Sequence, residues 1–389
     1  MNAAAANSYI ERIEWATLEG KRPRHAGSNA RLGEHGVAIR VPLARLTTSD
    51  GASGWGACRA TPDQAHALLG APLDDLFSPE PGKGARAPWL RWEYPLWDLA
   101  AKRANRPVYA LAAEMAGNNA APPAAPPLRV PCYDTSLYFD DLHLTDDTEA
   151  AALIADEARE GYERGHRAFK IKVGRGARHL PLEAGTRRDI AIVRAVRAAI
   201  GPEPPLLLDA NNGYNLNLAK RVLDETADCG VFWLEEAFHE DPVLYRDLRA
   251  WLDDRNLPVL IADGEGDASS SLLAWAREGV VDVIQYDIFG HGFSNWLTTG
   301  RQLDAWNVRS APHHYGGHIG NYLACHLAPA IRNFTYVEWD EATTPGLHAP
   351  GYEVRDGHVT VPNTPGFGLE LDEAAFQNAV RANGFTLTL

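Results

Sequence analysis

The sequence predicts an α/β protein in which a closed parallel barrel follows a smaller N-terminal domain. From Leu128 onward, short apolar runs alternate with amphipathic stretches. Strand–helix repeats of this kind are typical of a parallel sheet, and eight of them fit a closed barrel. The segment from Gly117 to Pro127 is rich in Pro, Ala and Asn, which indicates an inter-domain linker. A chain of 389 residues is also longer than one ordinary core requires.

The repeating region is predicted to contain eight strands and seven helices. The strands are expected near residues 129–134, 167–172, 205–209, 231–235, 258–262, 282–286, 308–312 and 334–338. The helices are expected at about residues 149–165, 186–200, 216–228, 242–254, 270–279, 293–306 and 319–330.

The N-terminal region has a different pattern. Residues 10–15 and 36–41 alternate between apolar and polar side chains, which predicts two strands. The stretch from Gly20 to Gly36 between them is predicted to be a long loop, and residues 62–117 are predicted to be mainly helical. The tail from Gly346 is rich in Pro and Gly, and we expect it to pack back on the first domain.

The overall charge and composition exclude several classes of function. The formal net charge of −14 argues against nucleic acid or an anionic membrane as the main partner. An apolar run of 18 residues, which a membrane span needs, does not occur, and the first residues lack a secretory signal pattern. Four widely spaced cysteines without a CxxC pair indicate reduced thiols. We therefore expect a cytoplasmic protein that acts on a small molecule.

Three short apolar runs each end in an acidic residue. Asp209 closes Leu206–Leu208, Glu235 closes Phe232–Leu234, and Glu265 follows Leu260–Gly264. Their spacings of 26 and 30 residues match one strand–helix unit each. Carboxylates at the C-terminal ends of successive parallel strands converge above the sheet, and hard oxygen ligands suit Mg²⁺. Each acid could instead cap the following helix, but three in register favour a metal site.

Two lysines lie two residues apart on one predicted strand. Lys170 and Lys172 should point to the same face because side chains alternate along a strand. If that face is the barrel interior, desolvation and mutual repulsion favour the neutral amine, so one lysine could act as a base. The alternative is an exposed edge strand with both lysines in water.

A histidine and an aspartate follow two adjacent predicted strands. His313 lies 26 residues after Asp287. A carboxylate that accepts a hydrogen bond from one imidazole nitrogen leaves the other nitrogen free to transfer protons. Strand alternation allows only one of His313 and His314 to face the site, and we favour His313. Glu338 closes the last predicted strand.

The combined pattern resembles the enolase superfamily, in its mandelate-racemase-like subgroup. The resemblance rests on the Lys170–Lys172 pair, the three acids, the Asp287–His313 pair and the late Glu338. It covers most of the chain. It implies an N-terminal α+β capping domain at 1–127, a (β/α)7β TIM-like barrel at 128–345, and a C-terminal segment at 346–389 that packs back on the capping domain.

The same resemblance implies roles for individual residues. It implies Mg²⁺ ligands at Asp209, Glu235 and Glu265, catalytic groups at Lys170, Lys172, Asp287, His313 and Glu338, and substrate-binding groups at Asn211 and His314. Lys172 would be the base of the lysine pair, and Glu338 could donate a hydrogen bond to the substrate carboxylate if protonated. Asp263 remains open as an alternative third ligand, since Asp263-Gly264-Glu265 offers two acids.

The implied activity is Mg²⁺-dependent removal of the proton α to a carboxylate. Dehydration of a sugar acid (an aldonate or aldarate) to a 2-keto-3-deoxy sugar acid is the favoured outcome. Racemisation or epimerisation of a 2-hydroxy acid and a non-catalytic relative are the alternatives. The segment Asp282–Gly290 has no lysine, which disfavours the enolase, muconate cycloisomerase and dipeptide epimerase subgroups. The resemblance also suggests a homo-oligomer.

The polar stretch near the N-terminus is expected to select the substrate. It contains the cationic or polar residues Lys21, Arg22, Arg24, His25, Asn29 and Arg31. Arg24 and His25 are predicted to bind a polyhydroxylated end of the substrate or a second carboxylate there. The alternative is a solvated basic loop.

Overall fold

The computed structural model describes residues 8–80, 83–117, 127–315 and 317–389, which form a mixed α/β structure with a separate N-terminal sheet. The linker predicted at Gly117–Pro127 falls mostly outside the described residues. Among the described helices, none combines the length and apolarity that crossing a bilayer would need. The four cysteines are buried free thiols.

The N-terminal region combines a sheet with two longer helices. Its elements are β1 Ile10–Ala26, β2 Gly36–Thr48, β3 Ser53–Ala57, α1 Pro62–His66, α2 Leu73–Leu76, β4 Phe77–Ser78, β5 Gly84–Ala85, α3 Glu93–Arg103 and α4 Val108–Met115. Strands β1, β2 and β3 pair antiparallel in that order. Helix α3 packs against β3 so closely that a Cβ on Gly54 would lie 2.4 Å from the main-chain oxygen of Pro95.

The central region alternates strands and helices. Its elements are β6 Leu128–Leu137, α5 Asp147–Glu163, β7 Phe169–Lys172, α6 Leu182–Ile200, β8 Leu206–Asp209, α7 Leu216–Glu225, β9 Val231–Glu235, α8 Pro242–Asp254, β10 Leu260–Asp263, α9 Leu272–Arg277, β11 Val283–Ile284, α10 Ile288–His291, α11 Phe293–Trp306, β12 Arg309–Ser310, α12 Gly320–Cys325 and β13 Val337–Trp339. Strands β6 to β12 lie side by side and parallel in chain order, and β13 pairs in parallel with β6. Each of the eight predicted strands overlaps an observed one.

The C-terminal region adds strands to both preceding sheets. Its elements are β14 Leu347–His348, β15 Glu353–Arg355, β16 His358–Val361, β17 Glu370–Leu371, α13 Glu373–Asn383 and β18 Phe385–Thr388. Strand β18 pairs antiparallel with β1 in the N-terminal sheet, whereas β16 pairs antiparallel with β6. The tail therefore joins the N-terminal sheet to the parallel sheet.

Local sequence signals explain where several of the helices begin. The side chains of Asp146, Asn215 and Asp241 cap α5, α7 and α8 by accepting hydrogen bonds from amides of the first turn. Short polar side chains at this position satisfy amides that otherwise lack a partner. Pro242 at the start of α8 adds a residue whose missing N–H is not needed there.

A layer of inward-facing side chains fills one face of the parallel strands. It consists of Tyr133, Ala168, Leu207, Trp233, Ala262, Val283 and Ala311, with Tyr336 packed against them. Nearly every parallel strand thus contributes one residue, at the strand or next to it. Because side chains alternate along a strand, the residue two positions later projects from the same face.

The loop predicted at Gly20–Gly36 is wrong in its first part. Strand β1 continues to Ala26, and only residues 27–35 form the loop. The pairing register of β1 with β2 shifts between Lys21 and Ala26. This irregularity interrupts the alternation that marks a strand in the sequence, so the glycine- and arginine-rich composition hid the continuing strand.

Asp98 on α3 links three segments of the N-terminal and C-terminal regions. Its carboxylate accepts hydrogen bonds from the amides of Trp55 at 2.9 Å and Phe367 at 3.1 Å, and pairs with Lys102 at 2.7 Å. We expect Asp98→Ala to lower the free energy of unfolding by about 2–4 kcal/mol, because two buried amides would lose their acceptor. Urea unfolding measures the change.

Asp98→Asn is the matched control for this prediction. It keeps one carbonyl oxygen as an acceptor and should cost clearly less than the alanine variant. Equal losses in both variants would show that the charge of Asp98, rather than its hydrogen bonds to Trp55 and Phe367, carries the stabilisation.

Candidate active site

The candidate site lies next to the inward-facing layer, two residues further along the strands. The polar residues at these positions are Lys170, Asp209, Glu235, Gln285, His313 and Glu338. The period of two therefore places these side chains on the face that the layer occupies. All of them except His313 are buried, with relative exposures of 0–1%.

Three of the predicted acids come together. One carboxylate oxygen from each of Asp209, Glu235 and Glu265 lies within 4.8 Å of the other two, so the group could hold a metal ion. Asp263 does not join this group, because its carboxylate accepts hydrogen bonds from the hydroxyl of Tyr245 and the amide of Gly264. Of the two acids that the sequence left open, the structure brings Glu265 to the cluster.

Both lysines point to the same face and contact these acids, which confirms the predicted orientation. Lys170 Nζ lies 2.9 Å from Glu235 Oε1, 3.1 Å from Glu338 Oε1 and 3.5 Å from Asp209 Oδ2. Lys172 Nζ pairs with Asp209. Both ammonium groups are buried.

The carboxylates beside the two lysines favour the charged amines, whereas the sequence argument favoured a neutral one. Burial lowers the pKa of Lys172, but the charge of Asp209 outweighs burial and the repulsion from Lys170, so the pKa lies above its ordinary value. The pKa of Lys170 lies well above its ordinary value because Glu235 and Glu338 outweigh burial. The sequence argument counted the two lysines but omitted the carboxylates beside them.

Glu338 accepts hydrogen bonds rather than donating them. Its carboxylate accepts from Thr135 Oγ1 at 2.7 Å and from the amides of His314 and Tyr315 at 2.8 and 3.0 Å. Burial raises its pKa, but Lys170 and the two histidines hold it well below the usual range. Lys170 and these three hydrogen-bond donors therefore stabilise the charged form of Glu338, whereas donation to a substrate carboxylate would need the protonated form.

The histidine–aspartate pair has the predicted geometry. His313 Nδ1 lies 2.5 Å from Asp287 Oδ1, and its Nε2 lies 3.0 Å from Glu265 Oε2. Burial lowers the pKa of His313, but Glu265, Glu338 and Asp287 together raise it well above the ordinary value. The carboxylate of Asp287 thus fixes one ring nitrogen, and the other faces the acid cluster.

The neighbouring polar residues have supporting contacts. His314 Nε2 lies 2.6 Å from the main-chain oxygen of Glu338, so this ring is engaged by the backbone. Asn211 Nδ2 donates to Glu236 at 3.0 Å and to Glu265 at 3.2 Å. Asn211 therefore holds Glu265 beside the other acids of the cluster.

The site opens into a cavity of about 510 Å³ beneath the loop at residues 27–35. Its lining includes Lys172, Glu265, Asp287, His313, Tyr138, Tyr315, His35, Arg22, Arg31, Arg40 and Arg59. Arg24 and His25 do not line it. Arg24 hydrogen-bonds Ser136 and Glu157, and His25 lies half-exposed near Glu34 and Asp140.

Sequence reasoning missed three buried polar residues of the site. Thr135 donates a hydrogen bond to Glu338, and Gln285 donates to Glu235 Oε2 at 2.9 Å. Glu236 accepts a hydrogen bond from Asn211, which also donates to Glu265. Burial, Glu265 and Asp209 raise the pKa of Glu236 to about 10. Counting two residues on from Tyr133 and Val283 along their strands would have found Thr135 and Gln285. Glu236 gave no such signal, because its backbone is left-handed at φ 43°.

Comparison with known proteins identifies the family of the C-terminal half. A model of the family described as enolase C-terminal domain-like matches residues 153–375. A curated relative, the D-galactarolactone cycloisomerase of Agrobacterium fabrum, is 30% identical over 239 residues, which cover 57% of this chain. The match spans 60% of that relative's length.

Two solved structures match almost the entire chain. One is a galacturonate dehydratase from Geobacillus sp. in complex with D-galacturonate and 5-keto-4-deoxy-D-galacturonate, with 47% identity, a TM-score of 0.92 and coverage of 98% of this chain and 99% of that one. The other is a mandelate racemase/muconate lactonizing protein from Geobacillus sp. complexed with magnesium/tartrate. It has 47% identity, a TM-score of 0.94 and coverage of 99% and 98%.

The geometry predicts which acid after β10 serves as a metal ligand. Glu265→Gln should weaken binding of a divalent cation by about tenfold or more, because one carboxylate charge leaves the cluster. Asp263→Asn should leave the affinity within about twofold, because Asp263 is engaged by Tyr245 instead. Calorimetric titration with Mg²⁺ measures both, and thermal melting checks that both variants fold. A larger loss for Asp263→Asn than for Glu265→Gln would reverse the assignment.

Proposed function

This chain belongs to the enolase superfamily, in its mandelate-racemase-like subgroup, and from that premise we propose that it is a Mg²⁺-dependent sugar acid dehydratase. The observation that carries the proposal is the convergence of three carboxylates with Lys172 and His313 at one cavity. Near-complete coverage by a galacturonate dehydratase at 47% identity supports it.

The substrate that we propose is a hexuronate such as D-galacturonate. The names of the two compounds bound to the Geobacillus dehydratase define the change: the 4-hydroxyl is lost, and a ketone forms at C5, next to the carboxylate. Removal of the C5 proton and departure of the C4 hydroxyl as water give an enol, which becomes the ketone. The keto carbon lies α and the deoxy carbon β to the carboxylate, as in the expected 2-keto-3-deoxy products.

Asp209, Glu235 and Glu265 are proposed to hold the metal ion. Their oxygen donors fit a hard cation, because one carboxylate oxygen of each residue lies within 4.8 Å of the other two. A bound Mg²⁺ would supply stabilisation of the negative charge that develops on the substrate carboxylate. Asn211 would keep Glu265 in place.

Lys172 and His313 are proposed to carry the two proton transfers. Both line the cavity, and His313 is oriented by Asp287. One, in its neutral form, would remove the α-proton, and the other, protonated, would deliver a proton to the departing hydroxyl. A cation at Asp209 and Glu265 would offset the carboxylate charge that raises the pKa of both groups, and would so favour the neutral base. Lys170 and Glu338 are proposed to remain an ion pair within the site, and the Lys170 ammonium would add positive charge beside the carboxylate cluster.

The finer architecture is also proposed. We infer that the parallel strands close into a (β/α)7β barrel, since β13 pairs with β6 and Ser310 at the end of β12 exchanges main-chain hydrogen bonds with residues 333 and 335. The division into domains at 1–127, 128–345 and 346–389 is likewise proposed from the family resemblance. A homo-oligomer in the cytoplasm remains a prediction of the resemblance.

Incubation with Mg²⁺ and a panel of sugar acids tests the proposed reaction. We expect D-galacturonate, or another hexuronate, to yield a keto acid that reacts with semicarbazide, and EDTA should abolish the signal because the carboxylate-bound metal is removed. Proton exchange at the α-carbon in D₂O without net loss of substrate would instead indicate racemisation or epimerisation. Neither reaction with any member of the panel would contradict the proposed function.

The two proton carriers can be tested by neutral replacements. Lys172→Met and His313→Asn should each lower turnover by about a thousandfold, because each removes one proton transfer. The matched controls are Lys21→Met and His143→Asn at exposed positions. Mg²⁺ should still bind to both site variants. Full turnover in either site variant would remove that residue from the mechanism.

A further inference from the structure

One wall of the cavity is a cluster of three rings that the proposed reaction does not use. His35, Tyr138 and Tyr315 pack together, with ring centroids 5.0 Å apart for His35–Tyr138, 5.3 Å for His35–Tyr315 and 4.9 Å for Tyr138–Tyr315. They come from the loop after β1, from the end of β6 and from the segment after β12. We call these three residues the ring cluster. Its members line the same cavity as Lys172 and His313.

Each member of the ring cluster has a buried polar atom that no described residue outside the cluster engages. Nε2 of His35 has no hydrogen-bond partner, and the hydroxyls of Tyr138 and Tyr315 have none outside the ring cluster. The two hydroxyls lie close enough for each to affect the pKa of the other. A hydrogen bond between them uses one O–H and leaves the other free, so this O–H and His35 Nε2 remain available to a ligand.

We propose that the ring cluster binds hydroxyl groups of the substrate beyond the two reacting carbons. This inference rests on the proposed function, since it places a sugar acid in the cavity. Lys172 Nζ lies 5.4 Å from the ring centroid of Tyr138, so the cluster begins directly beside the position of the reacting carbons. A substrate whose carboxylate lies at the carboxylate cluster would place its further hydroxyl-bearing carbons beside the rings.

The ring cluster itself carries no charge. Burial, Lys172 and Arg22 lower the pKa of His35 to about 4, so its ring is neutral at pH 7. Burial likewise raises the pKa of both tyrosines, which stay neutral. The guanidinium of Arg22 lies over the Tyr315 ring but is paired with Asp340 at 3.1 Å. Neutral donors and acceptors of this kind match hydroxyl groups.

Removing single hydroxyls from enzyme and substrate tests the ring cluster. Tyr138→Phe and Tyr315→Phe would be compared with the unchanged protein on D-galacturonate and on analogues that each lack one hydroxyl at C1, C2 or C3. The readouts are kcat/KM and calorimetric affinity of the Mg²⁺-loaded protein. Tyr336→Phe, in the inward-facing layer away from the cavity, is the matched control.

The expected result is that each variant loses activity and affinity only toward substrates that carry the hydroxyl bound by the replaced tyrosine. Each cluster variant should lose about tenfold in kcat/KM and affinity for D-galacturonate, and no further loss should occur on the analogue that lacks its partner hydroxyl. Tyr336→Phe should change neither quantity. Undiminished affinity for D-galacturonate in both cluster variants, or equal losses on every analogue, would overturn the proposal.

The binding readout separates this proposal from the proposed function. Binding of D-galacturonate without turnover would contradict dehydration of that sugar acid, yet the pairwise losses in affinity would still support the ring cluster as its hydroxyl subsite. Turnover with no pairwise loss would leave the dehydratase proposal standing and remove the subsite. Absence of any sugar acid binding would overturn both.

Discussion

The site depends on how buried charge is balanced around Lys170. This ammonium is fully buried and touches Asp209, Glu235 and Glu338. Burying an isolated charge is prohibitive, so the lysine requires these carboxylates and they require it. With Glu265, four carboxylates face two lysines and His313, so negative groups outnumber positive ones. A divalent cation at the carboxylate cluster would offset this excess of negative charge.

The alternation of side chains along the strands determines which charged groups meet in the site. Leu207 and Trp233 fix which face of β8 and β9 is inward, and Asp209 and Glu235 follow two residues later on that face. A register shift of one residue would exchange the buried acids with side chains on the helix-facing side. The apolar packing beneath the site therefore also specifies which side chains meet at the carboxylate cluster.

Sequence reasoning succeeded where this alternation continues and failed where it stops. Asp209, Glu235 and Lys170 lie within strands, so an apolar run that ends in a polar residue located them. Asp263 closes β10 in the same way, yet Glu265 joins the cluster, because Gly264 turns the chain with φ 128°. A residue with a side chain is strained at this φ, and its Cβ would lie 3.1 Å from the amide nitrogen of Gln285. The direction of a side chain after such a turn cannot be counted from the strand.

The expectation for Arg24 and His25 had a similar weakness. Their polar character suggested contact with the substrate, but the irregular pairing near the end of β1 decides which side chains face the cavity. Arg22, Asn29 and Arg31 of the same polar stretch do line it. The other lining residues His35, Tyr138 and Tyr315 are separated by more than 100 residues from one another and share no spacing. Only tertiary contacts bring them together, so no local pattern could have singled them out.

The loop that carries His35 is held by the same strand end that positions Lys172. Gly27 approaches Phe139 so closely that a Cβ would lie 2.5 Å from the Phe139 oxygen, and the neighbouring Ser28 forms a β-bridge with Phe139. The guanidinium of Arg175 lies 4.1 Å from the centroid of the Phe139 ring. Arg175 Nη1 also donates to the main-chain oxygen of Lys172 at 3.1 Å.

Arg175 is itself fixed, because its guanidinium is fully buried between Asp141 and Asp189. A displacement of the loop would therefore have to move Phe139 against a rigid ion-pair network before it reached Lys172. Tyr138 precedes Phe139 directly, so the ring cluster shares this anchor. Since all of these contacts meet just after β6, the positions of the ring cluster and of Lys172 are set by one packed unit.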